Sequence, residues 1–220
     1  MFATSRVTVI DTATFAATSI SLPQIPSSIA ISPHGQRLYV ATAYYTDTAT
    51  LKGYIVAIDT TTNQVVDEAR IWNPGGLTVS PDGAYLYLMC GETAYFCTFS
   101  TTSNTITKRL LLRSGLMAGP AATGTAITPN GTRVFLDSGF EPMAILGNHV
   151  VEVDVVHNKV VRSIAVGRQP GPMAITPDAS ELWVCDYSST SVSVIDVRNG
   201  TVTRTIPIGN QTYAITFGPR

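Results

Sequence analysis

The tightest constraint on this chain is a four-residue turn signal that returns every 48 residues. It reads Ser32-Pro33-His34-Gly35, Ser80-Pro81-Asp82-Gly83, Thr128-Pro129-Asn130-Gly131 and Thr176-Pro177-Asp178-Ala179. A fixed period of this size marks stacked copies of one supersecondary unit. Proline presets φ in each copy, and glycine supplies the left-handed φ that closes three of the four turns.

The segments between the turns read as strands. In the last full copy, Met173-Ala174-Ile175-Thr176 is a short β-prone run and Leu182-Trp183-Val184-Cys185 follows the turn. Val192-Ser193-Val194-Ile195-Asp196 alternates with period two, as a half-buried strand does. Asn199-Gly200 is a hairpin signal, and Val202 to Ile208 closes the unit. The same order recurs in the other copies, and no stretch sustains a 3.6-residue period. Four antiparallel strands per unit, repeated about an axis, predict an all-β fold, a β-propeller of four-stranded blades. The blades are expected at about residues 27–71, 75–112, 123–166 and 172–208. Residues 213–217 resemble an inner strand, and residues 1–22 resemble outer strands. A fifth blade shared between the two ends is therefore expected, in one domain spanning 1–220, the alternative being a piece of a longer propeller, which would read the same.

Composition narrows the function classes. Charged residues are only 13% of the chain and the net charge is −1, with no basic patch, which argues against nucleic acid as partner. No apolar run reaches about 18 residues, so no membrane-inserting helix is expected. The start, Met1 to Arg6, lacks the order of a signal peptide. The three cysteines, Cys90, Cys97 and Cys185, are too few for a disulfide framework. Cys90 and Cys97 flank a short hairpin loop, and the reading favours buried thiols over a bond between them.

Several segments resemble the YVTN family of β-propeller repeats: Ala30-Ile31-Ser32-Pro33, Leu38-Tyr39-Val40-Ala41-Thr42, Val192-Ser193-Val194-Ile195-Asp196 and Thr205-Ile206-Pro207-Ile208-Gly209. Position 42 is Thr where the family has Asn. The resemblance implies the fold and a periplasmic, secreted or cell-surface location. It does not choose an activity, since related propellers include lactonases and a lyase as well as proteins with none.

Function is expected where the fourth-to-first and second-to-third strand loops converge on one mouth of the channel. The candidate ligand-binding residues there are Tyr44, Tyr45, Trp72, Arg113, Phe140, Glu141, Arg168 and Tyr213. Aromatic rings offer apolar contact area, and the two arginines can hold a carboxylate through paired donors. Asp137 and Glu141 read as parts of an ordinary exposed link. Asp11, Asp59, Asp154 and Asp196 precede turns and read as turn acceptors. No metal and no cofactor are expected: His34, His149 and His157 do not converge, and no ligand-spacing motif is present. The leading expectation is a non-catalytic scaffold that binds a small molecule or a protein at the mouth. The alternatives are a lactonase- or lyase-like enzyme and a structural cell-surface module.

Overall fold

The computed structural model describes residues 5–44, 52–91, 95–112, 124–137 and 147–217. Strands β1 (Arg6–Ile10) and β2 (Ala17–Ser21) form a two-stranded hairpin. Four four-stranded antiparallel sheets follow, each in chain order. The first blade holds β3 (Ile25–Ile31), β4 (Arg37–Tyr44), β5 (Lys52–Asp59) and β6 (Gln64–Trp72). The second holds β7 (Leu77–Val79), β8 (Tyr85–Cys90), β9 (Tyr95–Ser100) and β10 (Thr105–Leu111). The third holds β11 (Thr125–Ile127), β12 (Arg133–Asp137), β13 (His149–Asp154) and β14 (Lys159–Ala165). The fourth holds β15 (Pro170–Ile175), β16 (Glu181–Asp186), β17 (Ser191–Asp196) and β18 (Thr201–Pro207).

The turns form as their residues dictate. Gly35, Gly83 and Gly131 take positive φ in the repeated turn, and Ala179 takes the same conformation at φ 59°. Asn63, Asn104 and Asn158 are left-handed in the third-to-fourth strand turns, where Asn bears that conformation better than most residues. The aspartates before these turns accept from backbone N–H groups: Asp11 from Ala13 and Thr14, Asp59 from Thr61 and Thr62, Asp154 from His157, and Asp196 from Asn199.

Apolar side chains are buried between blades rather than at one centre. Tyr39, Ile55 and Ile71 of the first blade meet Leu77, Leu88 and Phe99 of the second. Tyr87, Met89 and Phe96 then meet Val134, Leu136 and Val153. Phe135 and Ile164 meet Met173, Leu182 and Val184. On the other side of the first blade, Ile20 and Leu22 of the hairpin region cover Val40, Val56 and Ile58. The inner strands β3, β7, β11 and β15 lie side by side along this row. Each large buried aliphatic residue contributes roughly 1.5–3 kcal/mol, so the interfaces between blades hold most of the stability.

Two expectations are modified. Residues 213–217 form no strand among the described residues, and the fifth sheet is the β1–β2 hairpin alone. Tyr213 and Phe217 instead pack their rings on Tyr187 and Trp183, which ties the segment to the fourth blade. The strand that would join it to β1 would draw on residues 1–4, outside the described residues. The second change concerns sulfur. Cys90 and Cys97 are joined by a disulfide with Cα atoms 6.1 Å apart. The β8–β9 register sets Cys90 opposite Tyr95 and Cys97 opposite Leu88, so the two are diagonal neighbours on adjacent strands. Cys185 is a buried free thiol.

Candidate functional site at the mouth end

The second strands β4, β8, β12 and β16 all run toward one end of the blades. At that end β16 stops at Asp186, and a single 3-10 turn, Tyr187–Ser189, follows. The loop entering β15 lies against this turn. Arg168 N–H donates to Ser189 Oγ at 2.7 Å, and Ser188 N–H donates to the Arg168 carbonyl at 3.1 Å. Tyr187 N–H donates to the Gln169 carbonyl at 3.0 Å, and Ser188 Oγ donates to Gln169 Oε1 at 2.6 Å. Gln169 and Thr190 both hold left-handed φ, 56° and 51°. Such non-glycine strain costs of order 1 kcal/mol per residue and persists only where neighbours impose it.

Asp186 sits beneath this laced rim with 0% exposure. Its Oδ2 accepts from Ser193 Oγ at 2.7 Å and from Ser191 Oγ at 3.1 Å. Its Oδ1 is buried without a hydrogen-bond partner among the described residues. Burial pushes the carboxyl above the usual range, while the hydroxyls of Ser193 and Ser191 pull the other way. Asp137 ends β12 at the same level and is 2% exposed, its Oδ2 accepting from Gly124 N–H at 2.7 Å. Both aspartates face the junction of the third and fourth blades, because Phe135 and Leu182, on the same faces of β12 and β16, share one apolar cluster.

The structure brings together only part of the expected set. Arg168 is exposed on the rim and makes no ion pair among the described residues. Tyr213 is 69% exposed, and its hydroxyl bonds to Tyr187 Oη at 3.1 Å and to Gln211 Oε1 at 2.9 Å. The two rings meet edge to face at 5.2 Å. Trp72 ends β6 half-buried, away from this group, and its carbonyl accepts from Gly91 N–H at 2.7 Å. Tyr44 ends β4, and its side chain lies outside the described residues, as do Tyr45, Arg113, Phe140 and Glu141. Asp137 is buried, which corrects its reading as part of an exposed link. Asp186 was missed altogether. Its one signal was an acid closing an apolar strand, Leu182-Trp183-Val184-Cys185-Asp186.

Among the described residues no group of three or more His, Cys, Asp and Glu side chains is placed to hold a metal. The assembly can present a cation and two aromatic rings to a ligand at the rim, with a buried carboxyl below.

No family model matches the sequence, and no curated protein matches it. Solved structures do. Hydrazine synthase from Kuenenia stuttgartiensis aligns with a TM-score of 0.64 at 23% identity, over 82% of this chain and 48% of that one. The chain folds as a β-propeller. A functionally unknown protein from Desulfotomaculum acetoxidans DSM 771 aligns with a TM-score of 0.78 at 17% identity, over 97% of this chain and 66% of that one. This chain thus spans about half of the first propeller-containing chain and under two thirds of the second. At these identities the likeness is one of fold.

Proposed function

We propose that this propeller is a non-catalytic binding module of the YVTN repeat kind, and that its ligand is a small organic molecule bearing a carboxylate. The observation that supports this reading is the laced rim at the mouth. Hydrogen bonds and two left-handed residues fix the loop that carries exposed Arg168, beside the edge-to-face pair of Tyr187 and Tyr213. An exposed guanidinium on the loop that packs against half-buried Tyr187 and exposed Tyr213 suits an aromatic or aliphatic acid, since it offers paired donors and apolar area together. Preorganisation lowers the cost of binding. A periplasmic or surface location follows from the same family resemblance.

Titration with benzoate, phenylacetate and succinate, followed by amide chemical shifts, tests the reading. Shifts confined to Gly167–Gln169 and Tyr187–Ser189, and lost in Arg168→Ala, are expected. No shift with any acid would remove it.

A second reading is enzymatic and rests on Asp186. A buried carboxyl with a raised pKa and one oxygen without a hydrogen-bond partner among the described residues is a candidate proton donor. Lactone hydrolysis assayed with and without calcium, and compared with Asp186→Asn, decides that reading.

A further inference from the structure

The end of the blades opposite the mouth holds a groove of about 490 Å³ between the second and third blades. Asp82, Tyr85, Tyr87 and Lys108 line it from one side, Asn130 and Val156 from the other.

The repeat explains why it is open here. Arg37, Tyr85, Arg133 and Glu181 lie 48 residues apart and start the four second strands. In three blades that position carries an ion pair: Arg37 with Asp59, Arg133 with Glu152, and Glu181 with Arg204. In the third blade Arg162 also binds Glu152, and its guanidinium crosses to the carbonyls of Val197, Arg198 and Asn199 in the fourth. That side chain bridges the crevice between those two blades. The register places Thr98 and Lys108 of the second blade where Glu152 and Arg162 stand in the third. Tyr85, Thr98 and Lys108 make no ion pair among the described residues. The crevice is left unbridged.

What lines it is amphiphilic. Tyr87 is 5% exposed and stacks on Phe96 at 5.7 Å, with the Tyr85 ring tilted by 30° at 6.4 Å from it. The Tyr87 hydroxyl has no hydrogen-bond partner among the described residues. Burial first, then the charge of Asp82 and that of the Tyr85 hydroxyl when ionised, push it up to about 12, so it stays neutral and can both donate and accept. Tyr85 is 39% exposed and Val156 is 60% exposed. Asp82 Oδ1 accepts from Ser80 Oγ and Ala84 N–H, which leaves Oδ2 for a ligand. Asn130 Oδ1 is taken by Thr128 and Thr132, which leaves its amide NH₂. Asp82 and Lys108 cancel in charge, so the groove favours no ion.

An apolar floor ringed by donors and acceptors of no net charge matches a sugar ring with equatorial hydroxyls, which shows C–H bonds on its faces and O–H groups around its edge. We propose that this groove is a saccharide site for a neutral β-linked pyranose, with Tyr85 as the stacking platform and Asp82, Tyr87 and Lys108 holding hydroxyls. Its volume lies in the range of small-ligand sites.

Titration of the full chain with cellobiose and with N,N′-diacetylchitobiose, read by tyrosine fluorescence and by saturation-transfer NMR, tests the site. Saturable binding of at least one, with Kd on the order of 1 mM, is expected. Tyr85→Ala should weaken it by at least about tenfold. Tyr87→Phe keeps the stack on Phe96 and should weaken it by about fivefold. Arg168→Ala, at the opposite end, should leave it unchanged, which separates this site from the mouth. No saturable binding of either sugar to the wild type up to about 20 mM overturns the proposal. So does binding that Tyr85→Ala and Tyr87→Phe leave intact.

Discussion

Gly167 lies directly against the carboxyl group of Asp186: a β-carbon on Gly167 would fall 2.4 Å from Asp186 Cγ. The loop that carries the mouth's arginine can therefore pass over the fourth blade only with glycine at this position. Asp186 is enclosed and cannot swing aside.

Gly167→Ala should destabilise the protein by about 1–3 kcal/mol, as overpacking does. Pairing it with Asp186→Gly should recover part of that loss, because the Cβ, Cγ and Oδ2 atoms that the new β-carbon would strike are then gone. Urea midpoints of the two single variants and the double variant measure the coupling. Additive losses would show that the two residues do not touch in solution.

The Asp186 carboxyl also sets a pH dependence. Its pKa is raised in the folded chain, so the folded state holds this proton more tightly than the unfolded one. Stability from this group is present at low pH and falls as pH rises from the ordinary aspartate value through the raised one. Asp11, Asp59, Asp82 and Asp154 are lowered, mainly by hydrogen bonds from Thr14, Thr62, Ser80 and His157, and act in the opposite sense. Their contribution is present above the ordinary value and is lost as pH falls. Asp186→Asn should therefore gain on the wild type as pH increases, in urea titrations run upward from about pH 4, the ordinary aspartate value.

The disulfide closes a short loop inside one hairpin, with Cys90 2% and Cys97 0% exposed. Replacing both by serine should cost about 2–4 kcal/mol. Burial pushes the Cys185 thiol up, so it should not react in the folded state. A thiol reagent should find none of the three cysteines in the native protein and one after unfolding without reductant. Finding three on unfolding would mean that the bond is absent.

Ala179 occupies the turn position held by glycine in the other three copies, at φ 59°. Ala179→Gly should stabilise the chain by about 1 kcal/mol, since glycine bears that conformation without the β-carbon penalty. Thermal denaturation measures the gain. No change would mean that unfolded-state entropy offsets the relief.

Strand order was legible because it rests on local chemistry. Period-two runs such as Val192 to Asp196 and the Pro-Asp-Gly turns act over a few residues. The role of Asp196 as a turn acceptor was legible for the same reason. Asp186 was not, because the burial that gives it character comes from the Gly167 loop, 19 positions back along the chain. The Cys90–Cys97 bond depends on the diagonal register of β8 and β9, which the spacing alone left open. Nothing in the sequence pattern singles out Tyr85. Only the ion pairs at Arg37, Arg133 and Glu181 show what its position carries elsewhere. Of the expected mouth residues, the structure speaks to Trp72, Arg168 and Tyr213, and only the last two share a neighbourhood.

The apolar clusters sit between neighbouring sheets, so the molecule has several modest hearts in file and no single one. A wound at Val134 would trouble the second and third sheets and leave the hairpin beyond the first untouched. Such a file tolerates change piecemeal. That gives it latitude to diversify one crevice while the next one along stays bridged by Arg162.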